Sequence, residues 1–60
     1  MNDPLLTTED VAEEVRRPAS TVRYWRHIGY GPVGFRVGKR VLYRRSEVDA
    51  WLQRLAEGAA

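Results

Sequence analysis

Between residues 15 and 45 the chain carries nine basic side chains and no acidic one: Arg16, Arg17, Arg23, Arg26, Arg36, Lys39, Arg40, Arg44 and Arg45. Residues 1–14 hold Asp3, Glu9, Asp10, Glu13 and Glu14 with no base, and residues 46–60 hold Glu47, Asp49 and Glu57 against Arg54. Segment charges of −5, +9 and −2 therefore lie beneath a formal net charge of +2. Guanidinium and ammonium groups at that density bind polyanions, and phosphates are their commonest partners. The competing reading is a solvated basic face, but these bases have no acidic partner within their own stretch.

Covalent chemistry finds little support. There is no cysteine, which excludes disulfides and thiolate metal sites, and the single histidine, His27, cannot build a metal site alone. No glycine-rich phosphate loop or nucleophile–base pair is present, and the scattered carboxylates suit helix capping and solvation. The chain is expected to be neither an enzyme nor a cofactor binder. Sixty residues allow one domain, 1–60, with a small core and frayed ends at 1–4 and 57–60. No apolar run approaches a membrane span and no signal-peptide pattern occurs, so a cytoplasmic, nucleoid-associated location is expected.

The elements that must position the bases follow from pattern and punctuation. Thr7 or Thr8 caps a first helix over about 8–15, with Glu9 and Asp10 at the positive end of its dipole. Val11, Ala12 and Val15 form its apolar stripe, Leu6 staples back onto it, and Glu9, Glu13 and Glu14 fall on the solvent side. Arg16-Arg17-Pro18 stops this helix, and Pro18 opens a second one running to Ile28. Val22, Trp25 and Ile28 or Gly29 are its expected buried edge. The opposite face reads Ala19, Ser20, Thr21, Arg23, Tyr24, Arg26 and His27, rich in donors and free of carboxylates. The short gap between the helices is what a helix-turn-helix requires.

Gly29-Tyr30-Gly31-Pro32 ends the second helix, and Gly34–Arg44 alternates at period two. Phe35 and Val37 share one face of a first strand, and Val41 and Tyr43 one face of a second. A three-residue loop, Gly38-Lys39-Arg40, pairs Val37 with Val41 and Phe35 with Tyr43, joining the apolar sets and turning Leu42 outward beside Arg36. Ser46 is the expected cap of a last helix, with Asp49 completing a shortened capping box. Val48, Trp51, Leu52 and Leu55 form its apolar face. The fold class is thus mainly α with a two-stranded β-hairpin: a winged helix-turn-helix in the order helix, helix, hairpin wing, helix. The expected core is Leu6, Val11, Val15, Val22, Trp25, Phe35, Val37, Val41, Tyr43, Val48, Trp51 and Leu52. Trp25 and Trp51 belong to it rather than to a base-stacking surface.

Four runs carry a resemblance: Leu6-Thr7-Thr8-Glu9-Asp10-Val11-Ala12, Ser20-Thr21-Val22-Arg23-Tyr24-Trp25, Arg36-Val37-Gly38-Lys39-Arg40, and Arg44-Arg45-Ser46-Glu47-Val48-Asp49-Ala50-Trp51-Leu52. Over about residues 5–55 the chain resembles the small excisionase and MerR-like winged-helix DNA-binding domains. The departure is Arg17, where many members place a Ser or Thr cap before the proline. The resemblance implies duplex DNA as partner. It also implies a role as a recombination directionality factor of a temperate phage or integrated element, bending attachment-site DNA with an integrase and further copies of itself. A small transcriptional regulator is the neighbouring reading. A basic protein–protein adaptor is the reading from another class.

The second helix fits a major groove independently of the resemblance, because its first turns reach base edges. Ser20, Thr21, Arg23, Tyr24 and His27 are the expected major-groove residues, with Arg23 able to address guanine O6 and N7 in a bidentate manner. Gly38, Lys39 and Arg40 form a basic wing tip suited to the minor groove. Arg16, Arg17, Arg26 and Arg36 are expected on the DNA backbone. Arg44 and Arg45 have no assigned contact, and one of them is free to pair with Glu47 or Asp49.

Overall fold

The computed structural model describes residues 2–59, so Met1 and Ala60, within the ends expected to fray, lie outside it. The order is β1 (Leu5–Thr7), α1 (Thr8–Val15), α2 (Ala19–His27), β2 (Gly34–Val37), β3 (Arg40–Arg44) and α3 (Arg45–Gly58). The helices and the hairpin wing stand in the expected order. The addition is β1, which makes the sheet three-stranded and antiparallel in the order β1-β3-β2.

Local chemistry sets α1. The Thr7 hydroxyl accepts from the Asp10 amide, and the Asp10 carboxylate accepts from the Thr7 amide, each at 3.0 Å. This reciprocal bonding satisfies two amides at the helix start. At the other end Arg16 takes a left-handed conformation, φ 59°, while the Arg17 amide donates to the Ala12 carbonyl at 3.0 Å. A left-handed turn there usually favours glycine, so an arginine is held against its preference at the mouth of the three-residue Arg16-Arg17-Pro18 turn. α2 ends in a Schellman arrangement. The Tyr30 amide donates to Trp25 O at 2.8 Å and the Gly29 amide to Arg26 O at 3.3 Å, with Gly29 at φ 76°. The Tyr30 ring then meets the Trp25 ring edge-on at 5.4 Å, the apolar contact that accompanies such a cap. Trp51 joins both rings, at 5.7 and 5.8 Å, and so seats α3 against the end of α2.

The core is Val11, Ala12, Val22, Tyr43 and Val48, with Leu6, Val15, Ala19, Trp25, Val41 and Leu52 packed partly buried against it and Trp51 buried as well. Phe35 and Val37 are not part of it. Val37 pairs with Arg40 and Phe35 with Leu42, so the loop is the two-residue Gly38-Lys39 turn rather than a three-residue one. Gly38 at φ 61°, with no positive φ at Lys39, suits the tight turn that matches strand twist. One face of the hairpin therefore carries Gly34, Arg36, Val41 and Tyr43 toward the helices, and the other carries Phe35, Val37, Arg40 and Leu42. Leu42 does point away from the core, but beside Phe35 instead of Arg36. On that outer face Arg44 lies over the Phe35 ring at 5.4 Å. β1 supplies what the core face lacks, because Leu6 pairs opposite Tyr43. Ile28 is also outside the core, as the exposed C-cap of α2.

Ser46 does not cap α3. The helix begins one residue earlier, at Arg45, and its N-cap Arg44 makes no side-chain cap. The acceptor comes from the chain start. Asp3 receives the Ser46 amide and the Ser46 hydroxyl, each at 2.8 Å, and the Pro4 carbonyl receives the Arg45 amide at 2.9 Å. These bonds, the amide first, hold the Asp3 carboxyl below the usual carboxylate range, with Arg44 adding to the effect. Arg45 bonds Glu14 of α1 and pairs with Asp49 at 2.9 Å, so it is a structural tie between α1 and α3.

Candidate nucleic-acid interface

Packing of α1 against α2, and of the sheet against α1 and α3, leaves an open cleft between α2 and the wing. Its volume is about 720 Å³, and its walls are Thr7, Thr8 and Glu9 from the start of α1, Arg23, Arg26 and His27 from α2, and Lys39, Arg40, Val41 and Tyr43 from the hairpin. Two groups of bases, sixteen residues or so apart in sequence, therefore face one space. Tyr43 is its floor. Burial pushes the phenol above the usual tyrosine range, and nearby Arg26 and the Thr8 hydroxyl pull the other way. The floor stays neutral at physiological pH, so the charge of the cleft is set by its rim.

Helix geometry sorts the α2 residues. At about 100° per residue, Ser20, Arg23, Tyr24 and His27 occupy one outward stripe, and all four are exposed. Arg23 and His27 lie at the edge of that stripe toward the wing and reach the cleft, whereas Ser20 and Tyr24 lie outside its walls. Thr21 is half-buried at the flank. Arg26 turns toward the wing with Arg23. Gly38 forms the turn that carries Lys39 to the tip. Arg16 and Arg17 are exposed in the inter-helix turn, and Arg36 is exposed on the helix-facing side of the wing, outside the cleft walls. The expected site residues thus divide into a cleft set, an outward helix stripe, and flanking bases.

The structure also reduces the nine bases to those with no carboxylate in pairing range. Arg45 is committed to Glu14 and Asp49, and Arg23 donates to Glu9 at 2.6 Å. Among the described residues, Arg16, Arg17, Arg26, Arg36, Lys39, Arg40 and Arg44 make no ion pair, and Arg44 is the one stacked on Phe35. Sequence reasoning placed Glu9 on the solvent side and missed its position in the cleft. No local signal marks it, since its partner lies fourteen residues away.

The sequence profile of a helix-turn-helix domain family matches residues 5–56, nearly the whole chain. The chain belongs to the helix-turn-helix domain family. It is a DNA-binding family, so the cleft, the outward α2 stripe and the wing belong to a DNA-binding domain. No curated protein and no solved structure matches the chain. Within this helix-turn-helix protein, α1 and α2 are the two helices joined by the Arg16-Arg17-Pro18 turn. No helix among the described residues is long and apolar enough to cross a membrane.

Proposed function

We propose that this domain binds duplex DNA sequence-specifically, with α2 in the major groove and the Gly38–Arg40 wing in the adjacent minor groove. We further propose that it acts as a recombination directionality factor. The observation that carries DNA docking is the cleft, where Arg23, Arg26 and His27 of α2 and Lys39 and Arg40 of the wing face one space. A helix lying in the groove sets base-edge donors inward and leaves a wing to follow the backbone. Arg16 and Arg17, at the turn that precedes α2, meet flanking phosphates, as does Arg36. The recombination role rests on the resemblance to excisionases. Several copies occupy neighbouring sites, bend the DNA and bias an integrase toward excision.

The two halves of the interface differ in character. Arg23→Ala weakens binding to a selected site by ~1–3 kcal/mol while changing random-duplex binding little, because a bidentate base contact carries discrimination. Lys39→Ala and Arg40→Ala weaken both evenly, as phosphate contacts do. Titrations on the tightest duplex recovered from a randomised pool and on its scrambled counterpart measure this. Equal losses on both for Arg23→Ala would make that residue a phosphate contact.

Multiplicity separates the recombination role from simple regulation. A single module buries only ~600–1,000 Å² on DNA, so useful affinity needs neighbours on the same duplex. Sedimentation without DNA should show a monomer, and a gel-shift titration on a long natural site should show a cooperative ladder. A stable free dimer, or one non-cooperative complex on every site, points to a small transcriptional regulator. Loss of all shifted species to random competitor duplex, with retained binding to an acidic protein, points to an adaptor.

A further inference from the structure

Among the described residues, Glu9 is the only carboxylate in the walls of the basic cleft. Its Oε2 receives the Arg23 guanidinium at 2.6 Å, and both side chains are more than half exposed, at 57% and 58%. A pair so open to water contributes little to folding, and although a first-turn acid complements the α1 dipole, that interaction requires neither Arg23 nor a place in the cleft. Its position is fixed nonetheless. Glu9 lies in the first turn of α1, which the Thr7–Asp10 capping box anchors, while Arg23 projects from the middle of α2. We propose that Glu9 is a positioning and specificity residue of the DNA interface, holding Arg23 for a guanine edge and penalising dockings that place a phosphate beside its own carboxylate.

The inference rests on the DNA-binding reading and adds two effects of one carboxylate. Arginine presents five donors in a rigid fork, and a carboxylate on one edge fixes the plane of the rest. A guanidinium fixed in this way meets guanine O6 and N7 without first losing side-chain freedom, and a base lacking those paired acceptors leaves it unsatisfied. The second effect is repulsive. Arg26, Lys39 and Arg40 draw any duplex into the cleft, whatever its sequence. Docking excludes water, which strengthens repulsion between Glu9 and a phosphate entering the same space. Correct docking keeps Glu9 against Arg23, whereas a shifted register does not. Glu9 thus lowers affinity for random DNA more than for the preferred site, which is how specificity by repulsion works.

The test compares wild type with Glu9→Gln, which keeps the size and helix compatibility of the side chain and removes its charge. Affinities are measured for the duplex selected from a randomised pool and for its scramble. Glu9→Gln should bind the scramble several-fold more tightly and lower the selected-to-scrambled ratio by roughly ten-fold, within the range of one bidentate base contact. In an Arg23→Ala background the same change should lower that ratio much less, because only the repulsive effect remains. Thermal midpoints without DNA should differ by at most the few degrees that a lost helix-dipole interaction costs, and affinities measured well below them report binding rather than folding. A ratio unchanged by Glu9→Gln, or lowered equally with and without Arg23, overturns the proposal. Wild-type protein that fails to bind duplex, or to prefer any sequence, is a different result, because it removes the underlying DNA-binding reading.

Discussion

Gly34→Ala should destabilise the domain by about 1–3 kcal/mol, the cost of forcing extra volume into a packed core. A Cβ at residue 34 would lie 2.7 Å from Tyr43 Cε2, 2.9 Å from Tyr43 Cδ2 and 3.1 Å from the Leu42 carbonyl oxygen. None of these atoms has room to yield. The Tyr43 ring is 1% exposed and packed among Val11, Ala12, Val22 and Val48, and the Leu42 carbonyl is backbone held within the central strand. A chain this short has only ~3–5 kcal/mol from one core, so the loss is a large share of the total. The thermal midpoint should fall by about 4–8 °C for each kcal/mol. Gly58→Ala is the matched control, since a Cβ there meets nothing within 4 Å and the residue lies in α3. Helix propensity makes that change neutral or slightly stabilising. Tyr43→Leu combined with Gly34→Ala should cost less than the sum of the two, because the smaller side chain removes the clash. A Gly34→Ala protein that melts with wild type would contradict the placement of Tyr43 over the sheet.

The same contact explains which parts of the fold were legible in the sequence. α1 could be read because its signals are local. The Thr7–Asp10 cap, the Val11, Ala12 and Val15 stripe and the stop at Arg16-Arg17-Pro18 all lie within twelve residues. The α2 residues and the basic tip were legible for the same reason. The hairpin register was not, because period-two alternation gives the face of each strand but leaves open which faces pair. That choice was made by the Gly38 turn and by the volume of Tyr43, which leaves room across the sheet for Gly34 and none for Phe35. β1 was missed because a three-residue strand has no periodicity to read, and its partner is Leu42–Arg44. Asp3 capping Ser46 and Glu9 holding Arg23 are likewise invisible locally, at separations of 43 and 14 residues. The interface was thus legible in its bases and illegible in its one acid.

Charge density alone makes a strong claim about binding, and salt tests it. Seven bases lack a carboxylate partner among the described residues: Arg16, Arg17, Arg26, Arg36, Lys39, Arg40 and Arg44. Arg44 sits on Phe35, on the sheet face away from the helices. About five of the remaining set meeting phosphate would release a matching number of counterions, at ~0.9 per contact. Affinity would then fall by about two to three orders of magnitude between roughly 50 and 200 mM monovalent salt. The decisive measurement is therefore the affinity of the protein for a short duplex across that range, plotted as log K against log salt concentration. The DNA-binding account predicts a straight line with a slope near −4 to −5. A slope shallower than about −2 would mean that the cleft, turn and wing bases do not face the phosphates, and would contradict it.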